Sequence, residues 1–578
     1  MNFLGKEFFI MQSKIFPVFQ KMFYCLLLCL LFAGPAHAAM DNARFMRLCE
    51  CGSLQQVNHA IMNDANVNAR DNLGMTPLMR AAAHNPDQNV TTALINAGAD
   101  LQAKSRNGMT PLTLAARNNP NSKVVTALVN AGADVNEKND DGMTPLMMTA
   151  EKNTSPAMIT SLLNAGADVN KRGKDGVTPL MCAAADNSNP EVIKRLIESG
   201  ADINAKCDLE GRTPFVYAVR KNSNPEVIEI LIKSGVDVNE RANDGHTPLM
   251  HAASENANAE VIKVLIRAGS HVNAKDAHER TSLMAAALSN SNPKVINMLV
   301  EAGADINATD KDGWTPLMYA ASKNTKAEMI TIIVNAGAVV DKIDKKYAMT
   351  PLMLACRTNS NPDVITALVK SGANVNMKGK DGFTPLMYAA SENSNPEVIK
   401  ALIKVGSNVN AKNNDGDTPL MFAAYSNPKP DVIKILIASG ASINTRNRKG
   451  ESPIIWATLN PNLEVTKTLI ASGANVNMQT NNGGTALTWA AWNNSEPEAV
   501  KILVEAGANI NTKTSNGGTP LMRAAKNNPN PGIIIALLSY GANPKAIDSY
   551  GKMAIDYALE NERLVNTHAL TKLSSESY

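Results

Sequence analysis

The sequence predicts an all-α repeat protein built from paired short helices, and three observations predict it. A segment reading Gly-x-Thr-Pro-Leu-Met returns about every 34 residues along nearly the whole chain. An alanine-rich stretch and then a run with Val, Ile and Leu at helical spacing follow each copy. No linker, charge block or low-complexity stretch interrupts the series, so we expect one elongated array rather than several domains in the 578 residues.

The threonine of the segment, or its substitute, marks the start of each repeat. The series runs Thr76, Thr110, Thr144, Thr178, Thr213, Thr247, Thr281, Thr315, Thr350, Thr384, Thr418, Ser452, Thr485 and Thr519, with Met553 closing it.

The N-terminus has a different composition from the repeats. Lys21 precedes an apolar run over residues 22–33, which ends in Gly34-Pro35 and the small-residue pattern Ala36-His37-Ala38. This pattern predicts a secretory signal peptide over residues 1–38, cleaved before Ala39, and hence an exported chain that is periplasmic or secreted. An uncleaved anchor is the alternative, but the run is short against the ~20 residues that span a bilayer. Initiation at Met11 or Met22 is a further alternative.

Net charge and cysteine content argue against a nucleic-acid-binding protein and against a disulfide-stabilised one. The net charge of +3 gives no indication of a nucleic-acid partner. Five cysteines would remain after cleavage, an odd and sparse set that implies no disulfide framework. They are Cys49, Cys51, Cys182, Cys207 and Cys356. We expect Cys182 and Cys356 to be core thiols on first helices and Cys207, in a loop, to be exposed.

One repeat can be built residue by residue. Thr178 is placed to cap a helix, and Pro179 suits its first position, where a missing N–H costs nothing. Asn189 and Glu191 start a second helix around a proline in the same way, and Gly200 supplies a left-handed cap. The buried face of the second helix is expected to be Val192, Ile193, Leu196 and Ile197. A hairpin loop then leads to the next repeat.

These residues resemble the ankyrin repeat. The signatures are seen at Thr144-Pro145-Leu146 and at Gly132-Ala133-Asp134-Val135-Asn136, and the resemblance covers about 530 of the 578 residues. It implies a curved solenoid of about 16 helix pairs. We assign residues 39–75 to an N-terminal capping repeat, 76–552 to fourteen repeats, and 553–578 to C-terminal capping helices and a tail.

Two departures from the family pattern are systematic. The loop between the helices carries Asn-x-Asn-Pro, as at Asn222-Ser223-Asn224-Pro225, whereas the N-terminal unit keeps a short loop at Gly52-Ser53. Methionine replaces the signature histidine at Met79, Met147, Met181, Met250, Met284, Met318, Met353, Met387, Met421 and Met522. We expect apolar contacts from these methionines. A shared Cu(I) site is disfavoured because successive sulfurs lie about 10 Å apart, whereas a metal needs ligands within about 2.5 Å.

Catalytic motifs are missing from the sequence. It contains no His-Glu-x-x-His, Gly-x-Ser-x-Gly, phosphate-loop or Cys-x-x-Cys pattern. His246 and His278 fall in loops and His251 on a first helix, so solvated or packed imidazoles are expected. We predict that the chain is not an enzyme and holds no cofactor or metal.

The family resemblance implies protein binding through the hairpin tips and the facing end of the first helix. The residue just before the repeat threonine is apolar in two groups, which we predict to be exposed contact patches. The first group is Met75, Met109, Met143 and Val177, and the second is Trp314, Met349 and Phe383. Tyr425 and Trp492 on first helices extend the candidate surface. The alternative is that the side chains of the two groups fold onto neighbouring loops; it is the preferred interpretation for the methionine group, whereas both interpretations stay open for Trp314 and Phe383.

Charges and loop irregularities complete the candidate surface. Glu151-Lys152, Arg220-Lys221 and Arg357 would add specificity at its rim. The loops at residues 207–210 and 341–348 are each one residue longer, and Glu279 and Ala348 replace turn glycines. These irregularities are either drift or fingers shaped for a partner.

The sequence thus predicts a monomeric exported scaffold that binds another protein. A secreted effector acting on host proteins has the same architecture, as does an accessory protein that protects or assembles an exported enzyme.

Overall fold

The computed structural model describes residues 41–152, 155–323, 326–493 and 496–577. These residues form 32 α-helices and, within the described ranges, no β-strand. The signal peptide predicted over residues 1–38 lies outside them. The chain divides into two compact units, one ending at Ala277 and one beginning at His278.

Helices occur in pairs, and odd numbers denote the first helix of each pair. The unit ending at Ala277 contains α1 (Asn42–Cys51), α2 (Leu54–Met62), α3 (Pro77–His84), α4 (Gln88–Asn96), α5 (Pro111–Asn118), α6 (Ser122–Asn130), α7 (Pro145–Lys152), α8 (Pro156–Asn164), α9 (Pro179–Asp186), α10 (Pro190–Glu198), α11 (Pro214–Lys221), α12 (Pro225–Lys233), α13 (Pro248–Glu255) and α14 (Ala259–Arg267).

The unit beginning at His278 contains α15 (Ser282–Ser289), α16 (Pro293–Glu301), α17 (Pro316–Lys323), α18 (Ala327–Asn335), α19 (Pro351–Thr358), α20 (Pro362–Lys370), α21 (Pro385–Glu392), α22 (Pro396–Lys404), α23 (Pro419–Ser426), α24 (Pro430–Ala438), α25 (Pro453–Ala457), α26 (Leu463–Ala471), α27 (Ala486–Asn493), α28 (Pro497–Glu505), α29 (Pro520–Asn527), α30 (Gly532–Ser539), α31 (Ala554–Leu559) and α32 (His568–Ser577). We number the repeats 1 to 14 from Thr76 to Thr519.

The first helix starts as the sequence predicts. Thr178 caps α9 by accepting the backbone N–H of Met181 at 3.3 Å, and Pro179 takes the first helical position. In return, the Met181 sulfur accepts the backbone N–H of Thr178 at 3.4 Å. The ten methionines at this position are all buried, as expected. At Met181 the replacement of histidine therefore keeps a polar role, because the sulfur closes a capping box.

In the described repeats that follow this pattern, the Asn-x-Asn-Pro loop joins a repeat to the one before it, as repeat 5 shows. Asn222 is buried, and its side-chain amide donates to the carbonyls of Ala184 at 3.0 Å and Asn187 at 2.8 Å in the preceding repeat. Asn224 caps α12 by accepting the N–H of Glu226 at 3.0 Å. The first asparagine thus satisfies carbonyls at the end of the neighbouring first helix, which would otherwise lack partners.

This asparagine ladder recurs along both compact units. In the first unit the donors include Asn85, Asn119, Asn187, Asn222 and Asn256, and in the second they include Asn393, Asn427, Asn460, Asn528 and Asn561.

The core of each unit lies between successive helix pairs. First helices pack on first helices and second helices on second helices of the adjoining repeat. Val192, Ile193 and Leu196 of α10 are fully buried, as predicted, and Ile197 is half-buried. Helices of eight or nine residues are too short to be stable alone, so stacking supplies their stability.

Loop geometry agrees with the predicted turn chemistry. Gly200 has a φ of 88° at the end of α10, and Gly313 has a φ of 85° in its turn. Glu279 and Ala348 keep this left-handed conformation, with φ values of 63° and 52°, although they carry a Cβ. A side chain in this region is strained relative to glycine.

The cysteines follow the expectation at the two helical positions only. Cys182 and Cys356 are buried, and burial raises the pKa of the Cys182 thiol to about 12. The predicted exposure of Cys207 is wrong, because its sulfur packs inward and accepts the backbone N–H of Arg212 at 3.3 Å. Cys51 is the exposed thiol.

No helix in the described part of the chain is long and apolar enough to cross a membrane.

Candidate protein-binding surface

Two side-chain positions of each repeat meet on one surface. The residue before the repeat threonine lies in the loop, and the residue four after it lies on the first helix. In repeat 8 they are Trp314 and Tyr319, whose ring centroids are 5.3 Å apart. In repeat 10 they are Phe383 and Tyr388, also 5.3 Å apart.

The methionine group is largely packed against neighbouring repeats. Met109 is only 7% exposed, and it belongs to a cluster with Met79 and Met148. Met75 and Met143 are half-buried against the same cluster. Met109 therefore follows the packing alternative and is not an exposed contact residue, because alanine and methionine side chains of neighbouring repeats pack against it.

The second predicted group divides in the same way. Met349 is 1% exposed, so its predicted exposure is wrong. Trp314 is half-buried and packs on the cluster that contains Met349. Val177, of the first group, is half-buried against Met181 and Cys207.

An aromatic cluster spans repeats 10 to 12 on this surface, and we call it the aromatic patch. It consists of Phe383, Tyr388, Phe422, Tyr425 and Trp456. Phe383 and Phe422 have centroids 4.7 Å apart, Phe422 and Trp456 5.5 Å, and Tyr425 and Trp456 5.7 Å. The last two pairs are edge-to-face, a favoured aromatic arrangement.

The patch reaches solvent through all of its members. Tyr425 is 48% exposed, as predicted, and the other four are half-buried. The indole N–H of Trp456 donates to Glu451 at 3.1 Å, which fixes the ring.

Sequence reasoning missed three members of the patch. Tyr388, Phe422 and Trp456 are spaced by 34 residues, so they occupy the same position of successive repeats. This periodic aromatic column was the available signal, because residues one repeat apart stack on neighbouring helices.

Repeat 13 adds a second aromatic site. Trp492 is 38% exposed, as predicted, and its ring lies 5.6 Å from that of Trp489. The guanidinium of Arg523 lies 5.8 Å from the Trp492 centroid, within cation–π range.

Two of the predicted rim charges, Arg220 and Arg357, are paired with the next repeat, whereas Lys152 pairs with Glu151 beside it. Arg220 binds Glu255 through two hydrogen bonds of 2.7 Å. Arg357 donates to Glu392 at 2.8 Å, and this hydrogen bond raises its pKa. A partner therefore meets pre-ordered ion pairs at these positions.

One group of described residues offers metal-ligating atoms close together. Atoms of Asp244, His246 and His251 lie within 4.8 Å of one another. Burial lowers the pKa of His251 to about 4, against the opposing effect of the Asp244 carboxylate. Burial acts to raise the pKa of Asp244, but the His246 amide, both imidazoles and Arg212 together lower it.

Family models for ankyrin repeats match nearly the whole chain. A model of three ankyrin-repeat copies matches residues 45–139, 119–207, 182–276, 215–310, 283–379, 359–447 and 424–514. A model of many copies matches residues 503–558. No curated protein matches the chain.

Ankyrin repeats are generally protein–protein interaction modules, and proteins built from them are typically non-enzymatic binding scaffolds. The matched ranges, the paired helices and the repeat signatures agree, and the chain belongs to the ankyrin-repeat family.

Proposed function

We propose that this chain is an exported scaffold that binds a protein partner through the aromatic patch, with Trp492 and Arg523 as a second contact. The patch carries the proposal, because in repeats 10 to 12 the aromatic side chains of three successive repeats contact one another. Tyr and Trp are also the residues most often found at the energetic centres of protein interfaces.

The geometry favours tight contact with a partner. Stacked rings lose little conformational entropy on binding, because they are already held by their neighbours. The edge-to-face pairs of Trp456 with Phe422 and Tyr425 supply this order. Arg357 and Glu392, paired in advance, provide a polar rim next to repeat 10.

We further propose that the chain acts as a monomer without turnover of its own and without a nucleic-acid partner. The near-balanced charge of +3 supports the last point. The apolar N-terminal segment supports export, to the periplasm or beyond. Trp314, which lies in the same compact unit as the aromatic patch, would contribute at the edge of the interface.

The test compares partner binding by the wild-type chain and by Tyr425→Ala and Trp492→Ala. Both side chains are exposed, so truncation leaves the fold intact. We expect each change to weaken the binding free energy of the partner by about 1–3 kcal/mol, measured by biolayer interferometry. Chain recovered from the exported fraction is expected to begin at Ala39.

Tyr540→Ala is the matched control, because Tyr540 is exposed at the end of the second helix α30 and not on the first-helix surface. A partner bound equally well by wild type, Tyr425→Ala and Trp492→Ala would remove both the aromatic patch and the Trp492 site from the interface.

A further inference from the structure

We propose that Asp244, His246 and His251 form a binding site for a divalent transition-metal ion of the zinc class. Asp244 and His246 lie in the loop before α13, and His251 lies on α13 itself, so the site belongs to repeat 6 and the loop preceding it.

The distances fit an ion between the three side chains. The Oδ2 atom of Asp244 lies 3.6 Å from Nδ1 of His246 and 3.6 Å from Nε2 of His251. These separations exceed ordinary hydrogen bonds. Two ligands of a tetrahedral zinc ion are about 3.4 Å apart, given bonds of about 2.1 Å. All three ligand atoms lie within 4.8 Å of one another. To bind one ion, the two imidazole nitrogens need only move closer to each other.

His251 is the observation that points to a ligand. Its side chain is 3% exposed, and its Nε2 atom is buried without a hydrogen-bond partner. A buried polar atom without a partner is costly, so such atoms are rare in stable proteins. The unpartnered Nε2 faces Asp244 across the gap that the ion would fill.

Comparison with repeat 1 shows why this nitrogen has no protein partner. There Arg80 occupies the position of His251 and binds the loop carboxylate of Asp71 at 2.6 Å. In repeat 6 the position of that aspartate is Ala242. The repeat therefore holds a polar side chain at this position without the carboxylate that satisfies it elsewhere.

The surrounding groups orient the ligands. Nε2 of His246 lies 3.2 Å from the fully buried carboxylate of Asp276, which directs Nδ1 toward the site. The backbone N–H of His246 binds Oδ1 of Asp244 at 2.9 Å and so leaves Oδ2 facing the imidazoles. A carboxylate behind a ligating histidine is the usual supporting arrangement of metal sites.

The positive charges of the neighbouring arginines are balanced by carboxylates outside the site. Arg212 is paired with Glu210, and Arg220 is held by both carboxylate oxygens of Glu255. The carboxylates of Asp244 and Asp276 therefore remain to balance a dication.

The ligand set selects the ion. Two imidazoles and one carboxylate suit Zn²⁺ and related transition metals, whereas Ca²⁺ and Mg²⁺ prefer oxygen ligands. Asp244 is exposed, which leaves a path for the ion and a coordination position for water.

The test is a titration of the full, untagged chain with Zn²⁺, and with Co²⁺ as a spectroscopic probe. We expect one ion per chain and visible cobalt absorption without a thiolate charge-transfer band. Asp244→Asn, His246→Gln and His251→Gln are each expected to weaken affinity at least tenfold, and Asp276→Asn to weaken it by a factor of 10 to 100.

His271→Gln is the matched control, because His271 is exposed in another loop of the same compact unit. The Zn²⁺ affinity of this variant should stay within a factor of two of the wild-type affinity. Circular dichroism of each metal-free variant checks folding. Asp244→Asn alters an exposed side chain and should stay folded. Its Zn²⁺ affinity therefore tests the site even if a histidine variant unfolds. No saturable binding, a thiolate band, or affinity unchanged in Asp244→Asn would overturn the proposal.

Discussion

At the scale of single residues, stability depends on side chains that donate hydrogen bonds to the preceding repeat. Asn222 is the plainest example, since its amide donates to two carbonyls at the end of α9 and is buried between the repeats. Removing it leaves both carbonyls without a partner in a place that water does not reach.

We therefore expect Asn222→Ala to lower local stability by about 2–3 kcal/mol. Hydrogen-exchange mass spectrometry should show faster exchange in peptides covering α9 and α11. Ser223→Ala is the control, because the Ser223 side chain is exposed and only its backbone carbonyl binds Asn258. Equal exchange in the two variants would mean that the asparagine side chain adds no stability.

At the scale of elements, the turn before the first helix varies in sequence but keeps its left-handed conformation. Ala348 occupies a left-handed turn position that glycine fills in most repeats. The turn is still closed, because Asp344 accepts the backbone N–H groups of Tyr347 and Met349.

Ala348→Gly should raise stability by about 0.5–1 kcal/mol, since the relief of Cβ strain exceeds the entropy cost of glycine. A shift of the urea midpoint to higher concentration checks this. The reverse change, Gly416→Ala, is the paired control: Gly416 has a φ of 85°, and an added Cβ would lie 3.2 Å from the Arg448 backbone nitrogen. It should lower the midpoint, and a loss of stability in both variants would contradict the strain argument.

At the scale of the whole molecule, contacts join each repeat to its neighbours and to little else within each compact unit. Stability is then close to a sum of repeat and interface contributions. A complete repeat is the natural unit of insertion and loss.

Deleting residues 110–143, which joins Met109 to Thr144, should leave a folded chain with an unchanged far-ultraviolet circular dichroism signal per residue. The cut removes α5 and α6 together and restores the register of the cap. Deleting residues 110–126 is the control, because it removes only the first half of the same repeat. This deletion should abolish cooperative unfolding of the unit that ends at Ala277. Similar damage from both deletions would count against repeat-wise assembly.

Helix caps and turns could be predicted from the sequence. The exposure of side chains that pack against a neighbouring repeat could not. The cap at Thr178 and the turn at Gly200 depend on residues a few positions away, so periodicity was sufficient. The exposure of Met109 and Met349 depends on side chains one repeat distant. The same holds for His246, whose supporting carboxylate at Asp276 lies 30 residues further on.

The direction of the asparagine ladder bears on synthesis by the ribosome. Every ladder amide reaches back to carbonyls that were translated about 35 residues earlier, as Asn119 does to Ala82 and Asn85. A repeat that carries one of these described amides thus finds its acceptors already synthesised when it emerges. Growth from the N-terminus therefore has a built-in order, and Asn561, which donates to Ala525 at 3.0 Å, is the last donor of the described ladder.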